Sequence, residues 1–154
     1  QGYSVNVPLL PGTSDLAYEY VLNNVFIPLA EEFQPEVIIL VDGCDTHFID
    51  RITNMGLTLQ GIYMIGDKVR QTADRVCQGK GVAFAGSGYD PKGTLFPRGW
   101  LASICGLTGI KVDLDEPYPI PPVVKRDYAV AETKGIVQAI EAKLAPYWKC
   151  FASP

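Results

Sequence analysis

Apolar and polar positions along the chain follow two alternating patterns. The first is a short continuous apolar run, 37–41, which stops abruptly at Asp42, Gly43, Cys44 and Asp45, with His47 just beyond. Five consecutive aliphatic residues rich in β-branching predict a strand buried on both faces, as in a parallel sheet. A second such run, 82–85, predicts another short buried strand, with Gly86, Ser87, Gly88 and Tyr89 at its carboxyl end. The second pattern is helical. Leu16, Ala17, Tyr20, Val21 and Val25 recur at near-helical spacing behind Thr13, Ser14 and Asp15, which are natural caps. Pro28 falls late in that run and predicts a kink. Ile62, Ile65, Val69, Ala73 and Val76 predict a helix beginning at Thr58, and a third helix is expected from about 93 to 107, closed by Gly-Leu-Thr-Gly. Residues 113–124 carry Pro117, Pro119, Pro121 and Pro122 and read as an extended connector, followed by a last helix near 128–145. Residues 2–9 are extended and form a possible further strand.

Strands alternating with helices imply βαβ units and a parallel sheet, hence an α/β fold. Two confident strands are few for a doubly wound domain of 154 residues. The composition points the same way. It is 47% hydrophobic with a mean hydropathy of +0.10 and 19% charged residues, more apolar surface than one small domain buries by itself. The rest of the sheet is expected from another chain.

Charge and cysteine usage narrow the class. A net charge of −4 without a basic run argues against nucleic acid as a partner. No apolar stretch approaches the roughly 18 residues of a spanning helix, and no signal peptide is visible, so no membrane partner is expected. The four cysteines, Cys44, Cys77, Cys105 and Cys150, are widely spaced without a CxxC pair, which fits free thiols and a cytoplasmic location. The chain begins with Gln1, consistent with a cleaved, processed or excerpted start.

Ligands of open α/β sheets collect outside the carboxyl ends of the strands. Asp45 and Tyr89 stand at two such ends, so both side chains are placed to face one cleft. Each also has a plainer reading. Asp45 caps a following helix, or it binds a metal or moves a proton. Tyr89 packs its ring and hydrogen-bonds a loop carbonyl, or it serves a reaction.

The order GYSVNVPLLPGTSD, an apolar strand into DGCDTHFID, MGLT with Gly61, GSGYD and a terminal PYW resembles the zinc-dependent deacetylases. These include histone deacetylases, acetoin-utilisation proteins and acetylpolyamine amidohydrolases on the arginase–deacetylase fold. The resemblance runs through nearly the whole chain and corresponds to the second half of the family domain. It implies that residues 1–154 are one half of a single domain, completed by a separate N-terminal half. It makes Asp45 the last of three metal ligands, for Zn²⁺ with Fe²⁺ also open, and Tyr89 the phenol that stabilises the oxyanion. Ser87 and Gly88 would line the acyl tunnel, with Ile52 on its rim. His47 matches a histidine outside the metal's ligand set, and loop packing is its implied role.

The family's adjacent histidine pair, its Asp-x-His ligands and its Gly-Asn-Gly-Thr run are missing, and this chain has a single histidine. The N-terminal half is therefore the implied partner that supplies them. Ser87, Asp42 and Cys44 also depart from the common pattern. The implied substrate is an acylated small amine or acyl-lysine, since Ile52 provides no rim carboxylate for a polyamine. Two other readings are a scaffold subunit that keeps the fold without turnover, and a flavodoxin-like regulatory module with Asp42 and Asp45 as its acidic pocket. The last requires a five-stranded sheet within this chain.

Overall fold

Helices line the apolar residues of the first half on one side only of a small parallel sheet. The computed structural model describes residues 1–90 and 92–152. Strand β1 (Ile38–Asp42) pairs in parallel with β2 (Gly81–Ala85), in a register that sets Ile39 opposite Val82 and Val41 opposite Phe84. The crossover between them is helix α3 (Leu59–Cys77), started by Thr58, whose hydroxyl accepts from the Gly61 amide at 3.1 Å. Helix α4 (Leu95–Thr108) follows β2 and packs along α3.

Side chains alternate across a strand, so each face of the pair can be assigned. Ile38 and Leu40 pack on Val69, Ala73 and Cys77 of α3. Ala83 and Ala85 face Ser103 and Leu107 of α4 across a 170 Å³ cavity. The opposite face carries Ile39, Val41, Val82 and Phe84, which are 60%, 80%, 48% and 58% exposed. The two-sided burial expected of these strands is met on one side only in β1, and β2 is exposed along its whole length. Both outer edges of the pair also lack a strand neighbour among the described residues. The extended segment 2–9 is not a third strand. Its Tyr3 instead packs edge-on against Phe33 and Trp148, and Trp148 Nε1 donates to the Gly2 carbonyl at 2.8 Å.

The first helical stretch runs as α1 (Asp15–Val21), a π-helical turn (Leu22–Phe26) and α2 (Ile27–Phe33). Pro28 lacks an N–H and its ring crowds the carbonyl four residues back, and a wider turn just before it relieves both. Its caps also differ from expectation. Ser14 Oγ is turned to the Gly56 carbonyl, and Asp15 reaches the Thr58 amide and hydroxyl at 2.9 and 2.6 Å. The amides of Ser14 and Ala17 instead donate to the Asp127 carboxylate, at 3.2 and 2.7 Å. Asp127 follows the short helix α5 (Pro122–Arg126), and α6 (Val130–Leu144) completes the chain with a short 3-10 turn at Lys149–Phe151.

The core under the site consists of Cys44, Leu57, Leu59, Ile62, Leu95 and Ala102, all nearly inaccessible. Each fully buried Leu or Ile contributes about 1.5–3 kcal/mol. This core lies directly beneath the loops that leave β1 and β2, so the hydrophobic term also holds the site loops.

Candidate functional site

The polypeptide leaves β1 at Asp42, turns at Gly43 and enters a single 3-10 turn, Cys44–Thr46. Asp45 sits on that turn. It caps no helix, and one of its carboxylate oxygens stands 2.6 Å from where a Cβ on Gly43 would be, next to Ser87 Oγ. Among the described residues no hydrogen-bond donor engages the Asp45 carboxylate, while its backbone carbonyl accepts from the Thr53 hydroxyl. Its charge is felt nearby. Burial, and then the Asp45 charge, push the Tyr18 phenol up to about 12.

The other carboxylates at this edge are all engaged. Asp42 accepts from the Ser103 hydroxyl and, at 2.9 Å, from the Gly43 amide. Asp50 is 3% exposed and accepts from the amides of Ile52 at 2.7 Å, Thr53 at 3.2 Å and Tyr89 at 2.8 Å. Asp90 accepts from the amides of Lys92, Thr94 and Leu95 and from the Tyr118 hydroxyl, which replaces the missing cap of α4. Burial of Asp90 opposes its charge, but the donors from Tyr118, Lys92, Leu95 and Thr94 outweigh it and hold the carboxyl far below the usual range.

Tyr89 stands four residues beyond the end of β2 and is 54% exposed. Arg51, Ile52, Gly88, Tyr89 and Asp90 line one open pocket of about 320 Å³. Ser87 is not part of that wall. Its carbonyl accepts from the Cys44 amide at 2.8 Å and from the Cys44 thiol at 3.3 Å, which ties the β2 loop to the Asp45 turn. Gly88 is required by the same thiol, since a Cβ there would lie 2.1 Å from Cys44 Sγ. Burial first, with the charges of Asp45, Asp42 and Asp50 adding to it, pushes the Cys44 thiol up to about 11, so it packs rather than reacts.

His47 is fully buried. The Ile49 amide donates to Nδ1 at 3.3 Å, which leaves Nε2 to donate to Glu116 at 2.9 Å. Glu116 also accepts from the Leu59 amide at 2.5 Å. The histidine therefore packs and fixes its loop, as its resemblance implied. Sequence reasoning passed over Asp50, Asp90, Glu116 and Tyr118. Asp50 and Asp90 each precede a turn and carry the local signature of a side chain that caps its own backbone. Glu116 and Tyr118 have no such signal, because their partners lie 69 and 28 residues away.

The donor set can be tested against a catalytic zinc, which takes three protein ligands and keeps one position open. Asp45 fits one of those places, because no described donor engages its carboxylate and its backbone carbonyl is tied by Thr53. Among the described residues no group of three or more His, Cys, Asp or Glu side chains could hold a metal. The remaining ligands would have to come from elsewhere.

A sequence profile of the histone deacetylase domain matches residues 1–107, and the chain belongs to that family. It is 34% identical over 155 residues to a probable deacetylase of Archaeoglobus fulgidus, covering 98% of this chain and 43% of that protein. It is 37% identical over 108 residues to the acetoin utilization protein AcuC of Staphylococcus xylosus, covering 70% of this chain and 28% of that one. The chain thus spans less than half the length of the curated relatives it matches. Among solved structures, histone deacetylase Clr3 superposes with a TM-score of 0.76 at 24% identity, over 97% of this chain and 23% of that one. The HDA15 HD domain superposes with a TM-score of 0.71 at 22% identity, over 99% and 37%. The parallel strands and these neighbours establish the arginase–deacetylase fold, and the described residues hold two strands where a flavodoxin-like module requires five. Among the described residues no helix is long and apolar enough to cross a membrane.

Proposed function

We propose that this chain supplies part of the active site of a zinc-dependent amide hydrolase that removes acetyl or acyl groups from an amine. Asp45 is one metal ligand and Tyr89 the oxyanion donor. One observation carries the reading. Of the four aspartates closest to the strand ends, Asp42, Asp50 and Asp90 are engaged by backbone amides or hydroxyls, whereas no described residue engages the carboxylate of Asp45. Asp45 shares its sheet edge with the exposed phenol of Tyr89.

Zinc, when bound, polarises the amide carbonyl and lowers the pKa of water. The chain's own residues do the rest of what falls to them. Asp45 presents its carboxylate beside Gly43, where the absence of a Cβ leaves it room. Tyr89 donates its phenolic proton as a hydrogen bond to the carbonyl oxygen as that oxygen becomes negative. Ile52 offers an apolar rim residue to a neutral acyl group. The base that takes the proton from the attacking water lies outside this chain, whose one histidine is buried against Glu116. Partner residues of an N-terminal half, including Asp-x-His ligands and a histidine pair, complete the site and cover the bare face of the sheet.

The test is to purify the complete protein, measure its zinc content and assay acetate release from an acetylated lysine peptide and a small acetylated amine. About one zinc per site with acetate release supports the hydrolase. A folded assembly without metal and without turnover overturns it in favour of a scaffold subunit.

A further inference from the structure

The segment between α4 and α5 reads as a proline-rich connector, but the structure shows it gripping both site loops. It lies beyond residues 1–107, the part that matches the family profile. We infer that residues 113–127 form a strap that positions the Asp45 loop and the Tyr89 loop relative to each other, through Glu116 and Tyr118. The two side chains are two residues apart on one extended stretch, yet they engage different loops.

Glu116 binds the loop after β1. One carboxylate oxygen accepts from His47 Nε2 at 2.9 Å and the other from the Leu59 amide at 2.5 Å. His47 is fully buried two residues past Asp45, and its carbonyl accepts from the Asp50 amide at 2.9 Å. Asp50 in turn holds the Tyr89 amide. Tyr118 binds the loop after β2. Its hydroxyl donates to Asp90, the residue directly after Tyr89, and lies 3.2 Å from the Thr94 hydroxyl.

Further contacts make the strap a fixed element rather than a tether. Leu114 packs on the core cluster beneath the site, and the Asp115 carbonyl accepts from Arg98 at 2.7 Å. At the far end Asp127 caps α1. Pro117 and Pro119 restrict the backbone before folding, so ordering this stretch costs less conformational entropy than an ordinary loop would. Glu116 and Tyr118 are positioning residues, and their role in catalysis rests on the hydrolase reading above.

The experiment uses the complete protein carrying Tyr118→Phe or Glu116→Gln, with amide hydrogen exchange and steady-state kinetics read side by side. Tyr118→Phe should raise exchange at the amides of Tyr89, Thr94 and Leu95. It should also lower kcat by roughly 10-fold to 10²-fold with KM little changed. Combined with Tyr89→Phe it should cause almost no further loss of kcat, because it acts through that phenol. Glu116→Gln should raise exchange at Leu59 and Ile49 and weaken zinc affinity by roughly 10-fold. Unchanged exchange at both sets of amides overturns the strap whatever the kinetics show. An undiminished effect of Tyr118→Phe in the Tyr89→Phe background also overturns it. If the unsubstituted protein binds no zinc and turns nothing over, the hydrolase reading fails on its own, and the exchange data still decide whether the strap exists.

Discussion

The loop after β1 and the loop after β2 hold their functional groups in opposite ways. The first is long and largely buried, pinned by Glu116 through His47 and seated on the core through Cys44. It presents a carboxylate, Asp45, whose backbone is tied by the Thr53 hydroxyl and whose oxygens no described neighbour engages. The second is short, glycine-rich and largely exposed, and among the described residues it is fastened at single points, by Ser87 to Cys44, by Asp50 at Tyr89 and by Asp90 to Tyr118. A metal ligand must resist displacement when charge changes around it, so a buried support suits it. A hydroxyl that meets a developing oxyanion must reach into an open pocket, and it tolerates exposure if its backbone is fixed.

The sharpest test of that contrast is Asp45→Ala in the complete protein. Bound zinc and turnover should fall together, turnover by roughly 10³-fold or more, if Asp45 is the metal ligand proposed above. Full zinc occupancy in this variant, read by elemental analysis, would remove Asp45 from the ligand set.

Tyr89→Phe should come next. Turnover should drop by roughly 10²–10³-fold with zinc content and melting temperature unchanged, as for removal of one oxyanion donor. A loss below about threefold would make Tyr89 a packing residue.

Gly88→Ala probes the contact that joins the two loops. The added methyl would stand 2.1 Å from Cys44 Sγ, so one loop must shift, at about 1–3 kcal/mol of stability. Adding Cys44→Ala should recover part of that loss in a thermal melt. If the double variant is no more stable than Gly88→Ala alone, the clash lies elsewhere.

The smallest effect concerns acid. The Asp90 carboxyl is depressed in the folded protein, so its contribution is complete above the ordinary aspartate pKa, about 4. It fades as pH falls from there toward the folded value. Exchange at the Thr94 and Leu95 amides should therefore rise below about pH 4 before the rest of α4 loosens. Asp90→Asn should show faster exchange there at neutral pH and lose the pH dependence. Retention of that dependence would assign it to another acid.

Local sequence determined much of this protein. Five aliphatic residues at 37–41 pointed to a strand, which runs one residue further on, and the regular apolar spacing after Thr58 set α3 with its cap. The motifs DGCDTHFID and GSGYD place Asp45 and Tyr89 just beyond the carboxyl ends of their two strands. Each of these follows from interactions within a few residues, which periodicity and motif register directly.

What the tertiary structure decided involves partners far apart in the chain. Whether a strand is covered on one face or two depends on which helices arrive, and here α3 and α4 both lie on the same side, leaving Val41 and Phe84 exposed. The cap of α1 comes from Asp127, 113 residues beyond Ser14, although three capping residues stand at its own start. Glu116 and Tyr118 looked like part of a loose proline-rich linker. A carboxylate or phenol carries no local sign of its partner, because a long-range hydrogen bond is set by where packing delivers the backbone, and only the folded chain shows which groups meet.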